Sequence, residues 1–180
     1  MKHFNIKLQF IATLNSISGG LCSTDNLHGQ KNTELTELIN QYRKTLKLHE
    51  LKCSKELVET AKEHVNNSDS CPQPEEICKL HSWGSCGKLE KTIKSCCYKD
   101  DKDFDCMLQK VREVTGNAEA PLGYEISTYY SGKLTPEIAF QNWRGSDDHD
   151  NVMSGNSQWK DMKQIGCYYS THYAHCWFSN

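Results

Sequence analysis

The sequence predicts a disulfide-stabilised domain of the α+β class, and three observations support that prediction. Apolar residues recur at helical spacing in several stretches between residues 34 and 143. Segments rich in β-branched and aromatic residues lie at residues 123–130 and near the carboxyl end. Ten cysteines are dispersed along the 180 residues. A chain of this length is expected to form one domain with a sizeable core.

The spacing of the cysteines and the balance of charge limit the class of protein. No two cysteines form a C-x-x-C pair and the spacings match no common zinc finger, so disulfides and an oxidising compartment are indicated. Lysine and arginine number 21 against 23 aspartates and glutamates. No basic stretch is interleaved with aromatic residues, which argues against a nucleic-acid-binding surface.

The amino-terminal segment also predicts secretion. Lys2 and Lys7 precede a short apolar run at residues 8–14, and small residues follow in "SISGG", so residues 1–22 are interpreted as a signal peptide. An ordinary amphipathic segment is the alternative. Cleavage after Cys22 would leave nine cysteines and one unpaired thiol. In a secreted chain Asn66, which begins the sequon "NNS", is a glycosylation site. No later stretch is long and apolar enough to cross a membrane.

Residues 23–33 are polar and rich in turn-forming residues, so they are interpreted as a short leader before a domain at residues 34–180. Two helices are predicted to begin this domain, the first capped by Asn32 or Thr33 and the second by Ser54. Their apolar faces, which are expected to be buried, are Leu35, Leu38, Ile39, Tyr42 and Leu46 in the first helix and Leu57, Val58, Ala61 and Val65 in the second.

A cysteine-rich insertion follows at about residues 68–106, and its first part, residues 68–102, is rich in proline, cysteine and charge. An unstructured segment of this length is unusual in a compact domain, so disulfides are expected to hold it in place. The insertion contains the sequence "LHSW" with His81. A third helix is predicted at about residues 103–114, ended by Gly116.

The segment "GYEISTYY" alternates as a strand does, with Glu125, Ser127 and Tyr129 on one face. The sequence "TPE" then predicts a helix that begins after Thr135 and runs to about Trp143.

The carboxyl-terminal segment predicts a β-hairpin with its turn at residues 170–173. Cys167 and Cys176 are equally far from the centre of that turn, so a two-residue hairpin would bring them within disulfide range. The alternative is that both cysteines pair with the insertion. His172 and His175, near the turn, are interpreted as exposed edge residues.

Four landmarks occur in a particular order: "LINQYRKTLKLHELKCSKELVETAKEH", "LHSW", "GYEI", and "WRGSDDHDNVM" followed by "QWKDMKQIGC". Together they resemble the CAP superfamily of cysteine-rich secretory proteins, venom allergens and plant pathogenesis-related proteins, and most closely its invertebrate secreted branch. The resemblance covers residues 34–180. It implies a three-layer α-β-α sandwich with a central antiparallel sheet and a cleft lined by two histidines and two glutamates. In several members the two histidines hold a divalent metal.

Carried over by position, His81 and His149 are the implied metal ligands, with zinc as the implied ion, and Glu125 is the first glutamate of the cleft. The second glutamate has no clean counterpart, and Asp148 or Asp147 is the nearest substitute, with a shorter side chain. Taken alone, the segment "GSDDHDNVM" is typical of a solvated loop whose aspartates add a negative potential that favours a cation.

These observations predict a secreted, monomeric, non-catalytic binding protein whose cleft takes a divalent metal and whose partner is a lipid, a sterol or an extracellular protein receptor. The alternative is a metal-dependent peptidase or esterase. In it His149 acts as a base on Ser146 or Ser82, or Glu125 and His81 activate water. The chain has no nucleophile elbow, no H-E-x-x-H motif and no recognisable Cys–His signature.

Overall fold

The computed structural model describes residues 26–72, 75–86 and 93–180, with side chains from residue 33 onward. The predicted signal peptide at residues 1–22 and Cys22 lie outside the described residues. The secondary structure within these ranges comprises helices α1 (Asn26–Thr45), α2 (Lys55–Ser70), α3 (Asp105–Leu108), α4 (Lys110–Thr115), α5 (Pro136–Arg144) and α6 (Asp147–Met153), strands β1 (Lys52–Cys53), β2 (Tyr124–Tyr129), β3 (Gln164–Tyr169) and β4 (Tyr173–Ser179), and 3-10 turns at Asp101–Asp103 and Ser157–Trp159.

The four strands form one open sheet in the order β1-β3-β4-β2. Helices α2, α3 and α4 pack on one face of the sheet and α1, α5 and α6 on the other. The predicted α+β class and α-β-α sandwich are therefore confirmed. The pairs β3–β4 and β2–β4 are antiparallel as predicted, whereas the two residues of β1 run parallel to β3. Because β2 is at the end of the order, one of its edges is free of strand partners in the described sheet.

Local sequence signals predict most of the helix ends correctly. Ser54 caps α2 by accepting from the Leu57 N–H, and Thr135 caps α5 by accepting from the Ile138 N–H. Gly116, at φ 64°, ends α4 in the left-handed conformation that glycine adopts without strain. The predicted third helix is instead a 3-10 turn followed by two short helices that meet at Gln109.

Helix α1 begins at Asn26, so it includes most of the segment that was interpreted as a polar leader. The apolar spacing located only the buried part of this helix, from Leu35 onward. Hydrophobic periodicity reports which residues face a core and does not register helical backbone that extends beyond it.

The segment predicted as a solvated loop is helix α6, with Ser146 at its N-cap position. Acidic residues in the first turn suit the positive end of the helix dipole, and Val152 and Met153 at the other end are buried in the core. The segment is too short to show helical periodicity, and this explains why its sequence resembles a loop.

Disulfides hold the insertion, as the sequence predicts. Three of them lie within it or at its border: Cys71–Cys86, Cys78–Cys97 and Cys96–Cys106. Cys53 is disulfide-bonded as well. In the hairpin, Cys167 lies opposite Cys176 and the two are joined by a disulfide, with their Cα atoms 4.1 Å apart.

Gly166 in β3 is the point at which the sheet comes closest to α2. A Cβ atom there would lie 2.2 Å from the Val58 backbone nitrogen and 2.3 Å from the Leu57 carbonyl carbon, and backbone atoms cannot rotate away. We expect Gly166→Ala to lower the free energy of unfolding by about 2 kcal/mol. Gly145→Ala is the matched control, because its Cβ would meet nothing closer than 3.5 Å. Equal denaturant midpoints for the two variants would contradict the close packing of α2 on β3.

Candidate functional site

A cleft of about 610 Å³ opens where β2 has its free edge. The insertion forms one wall and helix α6 the other. The cleft is lined by four of the residues that the sequence suggested: His81 from the insertion, Glu125 from β2, and Asp148 and His149 from α6. Asp147, the alternative to Asp148, does not line it. Residues far apart in the chain thus meet at one place, because the two walls belong to opposite faces of the sheet.

The Glu125 carboxylate at the base of this cleft is fully buried and is surrounded by histidines. The Nδ1 atoms of His64 and His175 both contact its Oε1, the latter at 2.7 Å, and the His81 Nδ1 lies 2.8 Å from its Oε2. We call these four residues the Glu125 cluster. Three imidazole contacts on one carboxylate consume most of the acceptor capacity of Glu125.

His64 is a cation in this cluster, because both of its ring nitrogens face acceptors. Its Nδ1 contacts the Glu125 carboxylate and its Nε2 lies 2.9 Å from the Ser82 carbonyl oxygen. A neutral imidazole has one N–H and would leave one of these acceptors opposed by a lone pair. The ring is also stacked between Trp83 and His175, at 4.1 Å between centroids in both cases.

The pKa of Glu125 supports this assignment. Burial by itself raises the pKa of a carboxyl group, but the charge of His64 and the hydrogen bonds from His64 and His175 hold that of Glu125 well below its ordinary value. Glu125 is therefore ionised and forms a buried ion pair with His64.

His175 is fully buried, so its interpretation as an exposed edge residue is wrong. It lies on β4, between β2 and β3, and its side chain turns toward α2. Burial, followed by the charge of His64, lowers the pKa of His175 to about 4. The neutral ring donates from Nδ1 to Glu125, and its Nε2 accepts from the Ser68 hydroxyl at 3.1 Å. His172 is partly exposed at the turn.

His64 is not among the site residues that the sequence suggested. The residue lies on the apolar face of α2, one turn after Ala61 and next to Val65. Its position among core residues of that helix was the available signal, since a histidine at such a spacing is expected to be buried with a polar partner.

His81 is oriented by its contact with Glu125. Its Nδ1 lies 2.8 Å from the carboxylate and 3.3 Å from the Ser127 hydroxyl, and its side chain is 16% exposed. Donation from Nδ1 to a carboxylate leaves Nε2 as the nitrogen with a free lone pair. This is the arrangement in which carboxylates commonly orient histidines that bind metals.

His149 lies across the cleft from His81, with 6.4 Å between the ring centroids. Burial, followed by the proximity of His81, lowers the pKa of His149, so the ring is neutral at pH 7. A neutral imidazole is the form that binds a metal. Asp148 lies beside it, lines the cleft and is exposed to solvent.

A second group with metal-binding potential is His64, Glu125 and His175, whose ligand atoms lie within 4.8 Å of one another. These atoms already share hydrogen bonds, so an ion could enter only after the rings released their Nδ1 protons. All three side chains are fully buried, whereas His81 and His149 line an open cleft. The cleft pair is therefore the more accessible of the two candidate sites.

Ser82, one of the two serines considered as nucleophiles, is fully buried. Its hydroxyl accepts from the Tyr98 N–H at 2.8 Å, and the residue does not line the cleft. Asn66, the predicted glycosylation site, is exposed on α2.

Comparison with known proteins gives a family match over almost the whole domain: the cysteine-rich secretory protein family (CAP), over residues 36–179. No curated protein sequence matches the chain. Among the described helices none combines the length and the apolar character needed to cross a bilayer.

Solved structures with a similar fold include two bacterial proteins. One is an outer surface protein of Borrelia burgdorferi, with a TM-score of 0.53 and 16% identity over 82% of this chain and 90% of that one. The other is a cysteine-rich secretory protein of Staphylococcus aureus, with a TM-score of 0.53 and 14% identity. This match covers 83% of the present chain but 38% of the staphylococcal chain. At these identities the likeness concerns the fold alone.

Proposed function

The chain belongs to the cysteine-rich secretory protein family, and on that premise we propose that it is an extracellular, non-catalytic binding protein whose cleft holds a divalent metal ion between His81 and His149. The family and the disulfides fit an extracellular protein. Secretion through a signal peptide, glycosylation of Asn66 and a monomeric state are parts of the same proposal.

The observation that carries the metal site is the contact of Glu125 with the His81 Nδ1, which leaves Nε2 for a ligand. Burial lowers the pKa of His149, which supplies a second neutral imidazole across the cleft. Two imidazoles suit Zn²⁺, with water completing the coordination. Asp148 adds negative charge at the mouth of the cleft and takes the place of the family's second glutamate only if its shorter side chain reaches the ion.

The same contacts favour binding over catalysis. A glutamate that activates water needs a free oxygen lone pair beside the substrate. Glu125 is instead engaged by three imidazoles and paired with the His64 cation. Ser82 has no access to the cleft from its buried position. These contacts support the non-catalytic interpretation over a metal-dependent hydrolase, and a lipid, a sterol or an extracellular protein remains a proposed partner.

Zinc titration by calorimetry tests the proposal. We expect wild-type protein to bind about one equivalent, and His81→Ala and His149→Ala each to weaken binding at least about tenfold. His172→Ala is the matched control, because this histidine is partly exposed at the hairpin turn, outside the cleft. Absence of binding in the wild type, or equal binding in all four proteins, would refute the metal site.

A further inference from the structure

We propose that the occupant of the cleft is an extended peptide segment that pairs, as an additional strand, with the free edge of β2. This inference rests on the cleft being a binding site and does not require the metal. The segment is recognised by the chemistry of its main chain, whatever its source.

The hydrogen-bond pattern of the sheet shows which groups of β2 face outward. The Tyr130 N–H donates to the His172 carbonyl at 2.8 Å, and this bond continues the register in which β2 pairs with β4. In an antiparallel strand each residue directs both its N–H and its C=O to one side, and successive residues alternate between the two sides. The groups directed toward β4 therefore belong to Tyr124, Ile126 and Thr128, and those directed away belong to Glu125, Ser127 and Tyr129.

Glu125, the first of the three outward residues, already has a partner for its main-chain N–H. The Glu125 N–H donates to the Met107 Sδ at 2.9 Å, so α3 closes that end of the edge. Beyond it, the structure records no main-chain hydrogen bond between the outward side of Ser127 or Tyr129 and any other described residue. Ser127 lines the cleft and is 4% exposed, whereas Tyr129 is 50% exposed at its outer end.

Buried main-chain groups without partners are costly, and native proteins pair nearly all of them. The outward N–H and C=O groups recur along the open edge at the two-residue repeat of a strand. Another extended chain presents complementary C=O and N–H groups at the same repeat, so it can form hydrogen bonds with them. A lipid has no such repeat. The volume of about 610 Å³ lies within the range of about 300–1,000 Å³ for clefts that enclose small ligands, so a few residues of a strand can enter.

The test uses a pool of pentapeptides of the form acetyl-Thr-Xaa-Thr-Xaa-Thr-amide, with EDTA present to remove metal. We expect binding to shift the amide resonances of Ser127 and Tyr129. The pool is then N-methylated either at the first, third and fifth residues or at the second and fourth. Only one set of amides can face β2, so one methylated pool should lose about tenfold in affinity and the other should bind as before. Equal binding of both pools, or no binding of the unmodified pool, would overturn the proposal.

A second comparison uses the protein. Ser127→Pro removes the outward N–H at an edge position, where proline is tolerated, and Ser127→Ala removes the same hydroxyl but keeps the N–H. The proline variant should lose about tenfold more affinity than the alanine variant, and equal affinities would contradict pairing at this edge. Because EDTA is present throughout, a failure of the peptide to bind would not bear on the result of the zinc titration. Failure of that titration likewise leaves the strand-pairing result standing.

Discussion

Replacing Glu125 by glutamine is expected to lower the free energy of unfolding by about 3 kcal/mol, because it removes one partner of a buried ion pair and leaves the other in place. The side chain keeps its shape, so no cavity contributes. The His64 cation would then be buried without a counter-charge. For a domain of this size the loss corresponds to a fall in melting temperature of roughly 10 °C.

Asp148→Asn is the matched control for Glu125→Gln. It makes the same chemical change to a second carboxylate of the cleft, but Asp148 is exposed to solvent. Its stability should stay within about 0.5 kcal/mol of the wild type. If the two variants unfolded at the same denaturant concentration, Glu125 would not be ionised in the folded protein.

Acidification is expected to destabilise the protein through His175. The unfolded chain takes up a proton on this residue near its ordinary pKa of 6.5, whereas the folded protein does so only near 4. Between these values the unfolded state binds more protons, so stability falls as the pH is lowered through this window. The difference between the two pKa values corresponds to about 3 kcal/mol between pH 7 and pH 4. Glu125 adds a loss of the same sign below its ordinary pKa of 4.5.

His175→Gln isolates this contribution, because an amide can still donate to Glu125 and accept from Ser68 but does not titrate. Free energies of unfolding measured from pH 7 to pH 4 should fall by about 3 kcal/mol more in the wild type than in the variant. His172→Gln, at the partly exposed turn, should follow the wild type. Parallel curves for the wild type and His175→Gln would show that His175 is not held neutral by burial.

The elements with local signals could be predicted from the sequence. The caps at Ser54 and Thr135 and the opposition of Cys167 and Cys176 each depend on residues close together in the chain, and the structure has all of them. Helix α6 could not be found in this way, because seven residues carry too little periodicity to distinguish a helix from a polar loop.

The residues of the cleft likewise divide into those that the sequence suggested and those that it did not. His81, Glu125 and His149 were suggested by the resemblance, and the structure brings them to one cavity. The partners that determine the charge of Glu125 were not suggested. His64 and His175 are 61 and 50 residues away from it in the chain, and a histidine considered alone is usually assigned to the surface. Their burial depends on a carboxylate that only the tertiary fold places beside them.

We propose that Glu125 holds the proton of His81 on Nδ1 and thereby presents Nε2 to a metal shared with His149. The most direct measurement is the imidazole nitrogen NMR spectrum of the histidines before and after one equivalent of Zn²⁺. We expect the His81 Nε2 and one nitrogen of His149 to move to metal-bound shifts, while the His81 Nδ1 stays protonated and His64 and His175 do not change. Metal-bound shifts at His64 and His175, or an unprotonated His81 Nδ1, would contradict this account of the site.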